Sequence, residues 1–257
     1  MIRALFFDID GTLVSHTSSD IPADTLDALY RLRGKGILLF LATGRHLCEF
    51  SQLPLHGFPF DGYVTQTGQL CYDGDFRPIC EDPLDAADTA QLAACFERRL
   101  LPIVLISRDR LYINFVNETV RSTQASIHTA VPALGRYRGE PLFGATVFGS
   151  PGEIRELVSR LPHCRESSWH EHASDIVALD SGKVSGIRRI LERFGLDREE
   201  IAAFGDEDND LDMIRFAGVG VAMGNATARV REAADLVTSS VDDRGISRAL
   251  ERLGLLL

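Results

Sequence analysis

Two carboxylates stand two residues apart at Asp8 and Asp10, directly after the apolar run Ala4-Leu5-Phe6-Phe7 and just before Gly11. Burying such a pair is costly, because desolvation and mutual repulsion both oppose ionisation unless a counter-charge is present. A divalent cation is the simplest counter-charge, and an all-oxygen donor set favours Mg2+. A second acidic group, Gly205-Asp206-Glu207-Asp208-Asn209-Asp210, follows the apolar run Ile201 to Phe204 and leads into a helix whose N-terminus tolerates negative charge. Thr43-Gly44-Arg45, after the apolar stretch Ile37 to Ala42, offers a hydroxyl and helix-start amides, and Lys183 offers a positive charge ahead of a helix. Metal, hydroxyl and ammonium together suit a clamp on phosphoryl oxygens. Taken singly, each piece reads as a solvated loop, a turn or a surface lysine. Their joint placement at strand ends and helix starts is what gives them chemical meaning.

The elements that must position these groups alternate along the chain. Ala4 to Phe7 and Ile37 to Ala42 are continuously apolar, as strands buried on both faces of a parallel sheet are. Between them, Asp20 and Pro22 read as an N-cap and first turn of a helix carrying Leu26, Leu29 and Leu32. Tyr63 to Thr65 and Leu70 to Tyr72 add short strands around Gly68. The C-terminal third alternates again: helix Val184 to Phe194, strand Ile201 to Phe204, helix Asp208 to Phe216, strand Val219 to Ala222, helix Thr227 to Ala234, strand Leu236 to Thr238, helix Gly245 to Leu253. This spacing predicts an α/β fold with a doubly wound parallel-sheet (Rossmann-like) core, whose strand ends gather ligand groups at one edge.

The middle differs. Pro83 to Arg99 reads as an amphipathic helix, Ile103 to Ser107 and Leu111 to Val116 as a hairpin around Arg108-Asp109-Arg110, and Phe143 to Phe148 as a further strand. Helix Pro151 to Leu161 and alternating strands His163 to Trp169 and Asp175 to Leu179 follow. An antiparallel sheet with helices on one side is expected, an inserted α+β cap domain. The expected division is 1–82 with 181–257 for the core and 83–180 for the cap.

Composition bounds the partners. The 257 residues carry 27 Lys and Arg against 37 Asp and Glu, a formal net charge of −10, which disfavours nonspecific binding to nucleic acid or anionic membrane. No stretch has the length or apolarity of a signal peptide or membrane span, so a cytoplasmic location is expected. The five cysteines are dispersed with no C-x-x-C pair, and no disulfide framework is expected. Oligomeric state is not legible.

The motifs in order resemble the haloacid dehalogenase-like hydrolase superfamily, specifically Cof-type phosphatases with a C2 cap. Phe6-Phe-Asp8-Ile-Asp10-Gly-Thr-Leu13, Ala42-Thr43-Gly-Arg45, Lys183 and Gly205-Asp206-x-x-Asn209-Asp210 match the four motifs, and Met223-Gly-Asn-Ala226 the C-terminal pattern. Two departures are Gln66 before Thr67-Gly68, and Val184-Ser185 between Lys183 and Gly186. The resemblance implies Asp8 as a nucleophile that forms an aspartyl-phosphate and Asp10 as the acid/base. It implies Mg2+ held by the Asp8 side chain, the Asp10 carbonyl and Asp206, with Asp210 close behind, and phosphate contacts from Thr43, Gly44, Lys183 and Asn209. The implied activity is a phosphoric monoester hydrolase acting on a small phosphorylated metabolite. Sugar phosphates lead as substrates, with pyridoxal phosphate or flavin mononucleotide behind them. Cap residues such as Arg108, Arg110, Asn114 and His172 would read the substrate. Dehalogenases of this superfamily lack the second aspartate, so Asp10 favours phosphoryl transfer.

Two rival activities fit the same residues: a phosphomutase returning phosphate to its substrate, and a noncatalytic phospho-acceptor module. Other features are decoys. His163-Cys164 with His170 and His172 lacks a matched second pair of zinc ligands, and the expectation there is cap surface or substrate contact. Trp169 is expected in core packing, at a cap edge or on a substrate ring.

Overall fold

The computed structural model describes residues 1–126 and 129–256. They form two compact units, Met1–Glu81 with Gly182–Leu257, and Asp82–Ser181.

In the first unit, strand β1 (Ala4–Phe7) leads to helix α1 (Ala23–Gly34) and strand β2 (Leu38–Ala42). Strands β3 (Gly62–Thr65), β4 (Leu70–Asp73) and β5 (Pro78–Glu81) follow. Helix α1 starts after Pro22 without the expected cap from Asp20, whose carboxylate accepts from the Ile21 N–H and faces His56 instead.

The second unit comprises α2 (Ala86–Glu97), β6 (Ile103–Ser107), β7 (Leu111–Ile113), α3 (Glu118–Ser126), β8 (Leu142–Phe148), α4 (Pro151–Val158), β9 (Cys164–His170) and β10 (Ala173–Ala178). The chain then returns to the first unit through α5 (Lys183–Phe194), β11 (Ile201–Gly205), α6 (Leu211–Phe216), β12 (Val219–Ala222), α7 (Ala228–Ala233), β13 (Leu236–Val237) and α8 (Gly245–Arg252).

The first unit is built on one eight-stranded sheet in the order β13-β12-β11-β1-β2-β3-β4-β5. The six strands from β13 to β3 are parallel, and β4 and β5 turn back as an antiparallel edge. From β1 the chain winds outward through β2 and β3, then returns to β11 on the other side of β1. The winding direction therefore reverses between β1 and β11, which is where such sheets place ligand sites. Phe6, Phe40, Ala42 and Ala203 pack with Ile187 and Ile190 of α5, Met213 and Ile214 of α6 and Val230 of α7. Both faces of the central strands are covered, which explains their unbroken apolar sequences.

The second unit holds a five-stranded antiparallel sheet, β7-β6-β8-β10-β9. Ile103 and Leu105 pack with Leu92 and Phe96 of α2 and Ile154 and Leu157 of α4. The alternate residues Val104 and Ile106 pack with Val120 of α3. Helices therefore lie on both faces, correcting the expectation of one side only. The sequence Glu-Thr-Val-Arg-Ser-Thr-Gln-Ala-Ser gives α3 a single large apolar side chain, too weak a periodic signal to read. Asn114, expected to read substrate, instead holds a turn: Nδ2 donates to the Phe96 and Leu101 carbonyls, and Oδ1 accepts from the Ile103 N–H. Arg110 pairs with Glu140, which also accepts from the Tyr112 hydroxyl. Trp169 is about half-exposed and meets Phe148 edge-on.

Candidate active site

Phe7 pairs with Leu41 on one side and with Phe204 on the other, so β1, β2 and β11 end side by side. Asp8, Thr43 and Asp206 follow those ends within two residues and leave the sheet at one edge. The Asp8 N–H extends the ladder, donating to the Phe204 carbonyl at 3.0 Å.

Three carboxylates converge there. Asp8, Asp206 and Asp210 are all buried, and each places an oxygen within 4.8 Å of the others. Lys183, at the start of α5, reaches into this cluster with its side chain fully enclosed. Its Nζ donates to Oδ1 of Asp8 and to Oδ1 of Asp210, both at 2.5 Å. The second oxygen of Asp210 accepts from the N–H groups of Asp206 at 2.9 Å and Glu207 at 3.1 Å. Asp210 thus pins the loop after β11 and orients Lys183. Asp206 accepts from the Thr12 hydroxyl at 2.7 Å and from Asn225 Nδ2 at 3.2 Å. The same Asn225 amide donates to the Gly11 carbonyl at 2.8 Å, tying the two acidic loops together.

Glycine is required where these loops meet. Gly11 has φ +80°, and a Cβ there would fall 2.2 Å from Asp206 Oδ2. Gly68, φ +90°, lets the β3–β4 turn touch the start of α5: a Cβ would sit 2.1 Å from the Gly182 carbonyl oxygen. Gly186 completes that contact, since its own Cβ would lie 2.5 Å from Val64 Cγ1 and 3.0 Å from Gly68 Cα. The glycine three residues beyond Lys183 therefore has a packing reason: it faces the turn that locates the lysine.

The electrostatics follow from burial. Desolvation pushes the Asp8 carboxyl well above the usual range; Lys183 opposes this, and Asp210 and Asp10 reinforce it. Burial raises Asp206 to about 6, against the Thr12 hydrogen bond and with help from Asp210. Burial alone would lower Lys183, but Asp210 and Asp8 hold its ammonium well above the ordinary lysine range. One ammonium facing three buried carboxylates leaves the ionised cluster short of positive charge. An all-oxygen set of this kind fits a hard divalent cation.

Asp10 faces elsewhere. Its partly exposed carboxylate is held by Arg45 through two hydrogen bonds, Nε to Oδ2 at 2.7 Å and Nη2 to Oδ1 at 2.8 Å. Thr43 is buried, and its hydroxyl oxygen accepts from the Arg45 N–H at 3.1 Å. Gly44 and Asn209 are exposed, Asn209 on the one-turn 3-10 segment Asp208–Asp210. Among the described residues neither bonds to the carboxylate cluster. Sequence reasoning gave no role to Thr12, Arg45 or Asn225. Asn225 had one available signal: it follows β12, another parallel strand ending at the same edge.

A family model described as haloacid dehalogenase-like hydrolase matches residues 5–250. YkrA of Bacillus subtilis (strain 168), provisionally named a phosphatase, is 31% identical over 266 residues, covering 99% of this chain and 98% of that protein. YitU of the same organism, named 5-amino-6-(5-phospho-D-ribitylamino)uracil phosphatase, is 28% identical, covering 95% and 94%. Among solved structures, BT4131, described as a subclass IIB sugar phosphatase, superposes with a TM-score of 0.84 at 33% identity, covering 98% of this chain and 99% of that one. The matched span runs through both units. The chain belongs to the haloacid dehalogenase-like hydrolase family, among its phosphatases, and is a phosphoric monoester hydrolase.

Proposed function

We propose that the chain is a Mg2+-dependent phosphatase of small phosphorylated metabolites, sugar phosphates foremost, working through an aspartyl-phosphate on Asp8. The observation that carries this reading is the convergence of Asp8, Asp206 and Asp210 on the enclosed Lys183 ammonium. Lys183 holds Asp8 Oδ1, which leaves Oδ2 as the attacking oxygen. The Asp8 side chain, the Asp10 carbonyl and Asp206 would hold the cation, with Asp210 supporting the loop behind them. When bound, the cation supplies positive charge against the phosphoryl oxygens and the attacking carboxylate.

Attack by Asp8 forms a bond to phosphorus and breaks the bond to the ester oxygen. Asp10 gives its proton to the departing alkoxide, so the alcohol leaves neutral. The resulting aspartate takes a proton from water, whose oxygen attacks phosphorus and breaks the aspartyl bond. Inorganic phosphate is released and Asp8 is regenerated. Lys183 and Thr43 contribute a positive charge and a hydroxyl for the phosphoryl oxygens throughout. Arg45 fixes the direction in which Asp10 delivers and accepts its proton.

Support for the substrate class comes from BT4131, described as a sugar phosphatase, while YitU acts on a phosphorylated ribityl compound. The test is phosphate release across a panel of sugar phosphates, pyridoxal phosphate and flavin mononucleotide, with and without chelator, using wild type and Asp8→Asn. Turnover that needs Mg2+ and vanishes in Asp8→Asn, with label trapped on Asp8 after acid quench, supports the reading. Full activity in excess chelator, or in Asp8→Asn, overturns it.

A further inference from the structure

The second unit carries another cluster of metal-ligating side chains, which the reaction above does not use. Asp85 caps α2, its Oδ1 accepting from the Ala87 N–H at 2.8 Å. Asp88 lies in the first turn of that helix and is only 1% exposed. His163, immediately before β9, donates its main-chain N–H to Asp88 Oδ2 at 2.8 Å, across 75 residues of sequence. Its ring Nδ1 stands 3.6 Å from Asp85 Oδ1 and 3.7 Å from Asp88 Oδ1. A donor atom from each of the three residues lies within 4.8 Å of the other two.

Two further observations set this cluster apart from an ordinary acidic surface. Asp88 Oδ1, the oxygen that faces the imidazole, is buried without a hydrogen-bond partner. Leaving such an oxygen unsatisfied is costly, most of all for a charged group, so its retention asks for an occupant. The spacing also has a meaning. Separations of 3.6 and 3.7 Å are too long for direct hydrogen bonds. Tetrahedral zinc with bonds of about 2.0–2.2 Å, however, holds its donor atoms about 3.4 Å apart. Small rotations of exposed side chains would close the difference.

We propose that Asp85, Asp88 and His163 bind a divalent transition-metal ion, zinc being the best match. One imidazole nitrogen with two carboxylate oxygens suits zinc, whereas an all-oxygen cluster suits magnesium. His163 and Asp85 have side chains 60% and 42% exposed, so solvent can enter and complete the coordination. Buried Cys164 adjoins the site. Its thiol is pushed up to about 12 by burial first and then by Asp88, and so remains a neutral neighbour in the metal-free protein. The ion would clip the start of α2 to the start of β9, a structural role within this unit.

The test uses the full chain saturated with Mg2+, to which Co2+ is added as a spectroscopic probe and then Zn2+ as competitor. Wild type is expected to develop the strong visible absorption of four-coordinate cobalt, and zinc to abolish it. His163→Ala and Asp85→Asn should each lose that absorption while hydrolysis of p-nitrophenyl phosphate with Mg2+ stays unchanged. Asparagine keeps the helix-capping acceptor, so Asp85→Asn decides the matter should His163→Ala fold poorly. No such absorption in wild type, or its persistence in both variants, overturns the proposal.

Discussion

Arg45 holds both oxygens of Asp10 in a fork of two hydrogen bonds, 2.7 and 2.8 Å long, across 35 residues of sequence. A planar guanidinium fixes a carboxylate in direction as well as in charge. Burial opposes the charge on Arg45, but its Asp10 hydrogen bonds prevail and hold the guanidinium above its ordinary range, so it stays cationic. Removing it should leave Asp10 free to turn. With Asp10 in its proposed acid/base role, Arg45→Ala is expected to lower kcat by about 10²–10³-fold, within the 10²–10⁴-fold range of general acid–base contributions. KM should change little, because the fork acts on Asp10 and not on substrate binding. Arg45→Lys, which keeps the charge but not the planar fork, should recover little of the lost rate. An unchanged kcat in Arg45→Ala would refute the positioning role.

Lys183 is fully enclosed between Asp8 and Asp210. Lys183→Met leaves two buried carboxylates without their cation, and breaking a buried pair in this way costs about 3–5 kcal/mol. The deficit should shrink in acid, since burial already raises the Asp8 carboxyl and its protonation removes one uncompensated charge. Denaturant unfolding in chelator at neutral and acidic pH measures both effects. A loss that is the same at both would contradict this account.

Gly68→Ala places a Cβ against the Gly182 carbonyl oxygen, backbone against side chain, in a residue with φ +90°. Neither strain is relieved by a rotamer change. The start of α5 must shift, and Lys183 with it. Stability should fall by about 1–3 kcal/mol, with a disproportionate loss of kcat. Circular dichroism melting alongside steady-state kinetics separates the two.

The metal-free site should carry a pH signature. Burial raises Asp206 from its ordinary 3.8 to about 6, so the folded chain holds that proton more tightly than the unfolded chain does. Its contribution therefore favours folding at acidic pH. It is lost as pH rises from about 4 through 6, amounting to about 3 kcal/mol. Asp8, also raised, acts in the same direction. In the proposed Mg2+ role the cation is held by the ionised forms, so the melting-temperature gain it confers should grow as pH passes 6. Thermal unfolding with Mg2+ and with chelator, one pH unit either side of 6, checks this. A gain independent of pH would contradict it.

The doubly wound sheet was legible because Phe6, Phe40 and Phe204 sit in apolar runs without alternation, and the loops after them are acidic or glycine-containing. Asp8, Asp206 and Asp210 could be grouped by the rule that parallel strands end at one edge, and Lys183 joined them as a positive charge ahead of a helix. The Arg45–Asp10 fork could not, since an arginine after a strand faces solvent as readily as a partner; the distance that decides it is tertiary. Asn225 had its place after β12 to mark it, but its partners, Gly11 and Asp206, are far away in sequence. Helix α3 escaped notice because its stability comes from packing Val120 under β6, a contact that local propensity does not record. His163 looked like a surface residue for want of a nearby second ligand, and its acidic neighbours lie on α2.

The neighbouring strands β1 and β11 lie far apart along the sequence: the Lys183–Asp8 bond spans 175 residues and the Thr12–Asp206 bond 194. During synthesis, Asp8 leaves the ribosome long before its partners exist. Its strand must wait with an open flank while the intervening sequence folds. A nascent product that stops short of Asp210 therefore lacks the carboxylate that shares Lys183 with Asp8, and the buried cluster assembles only after that residue has emerged.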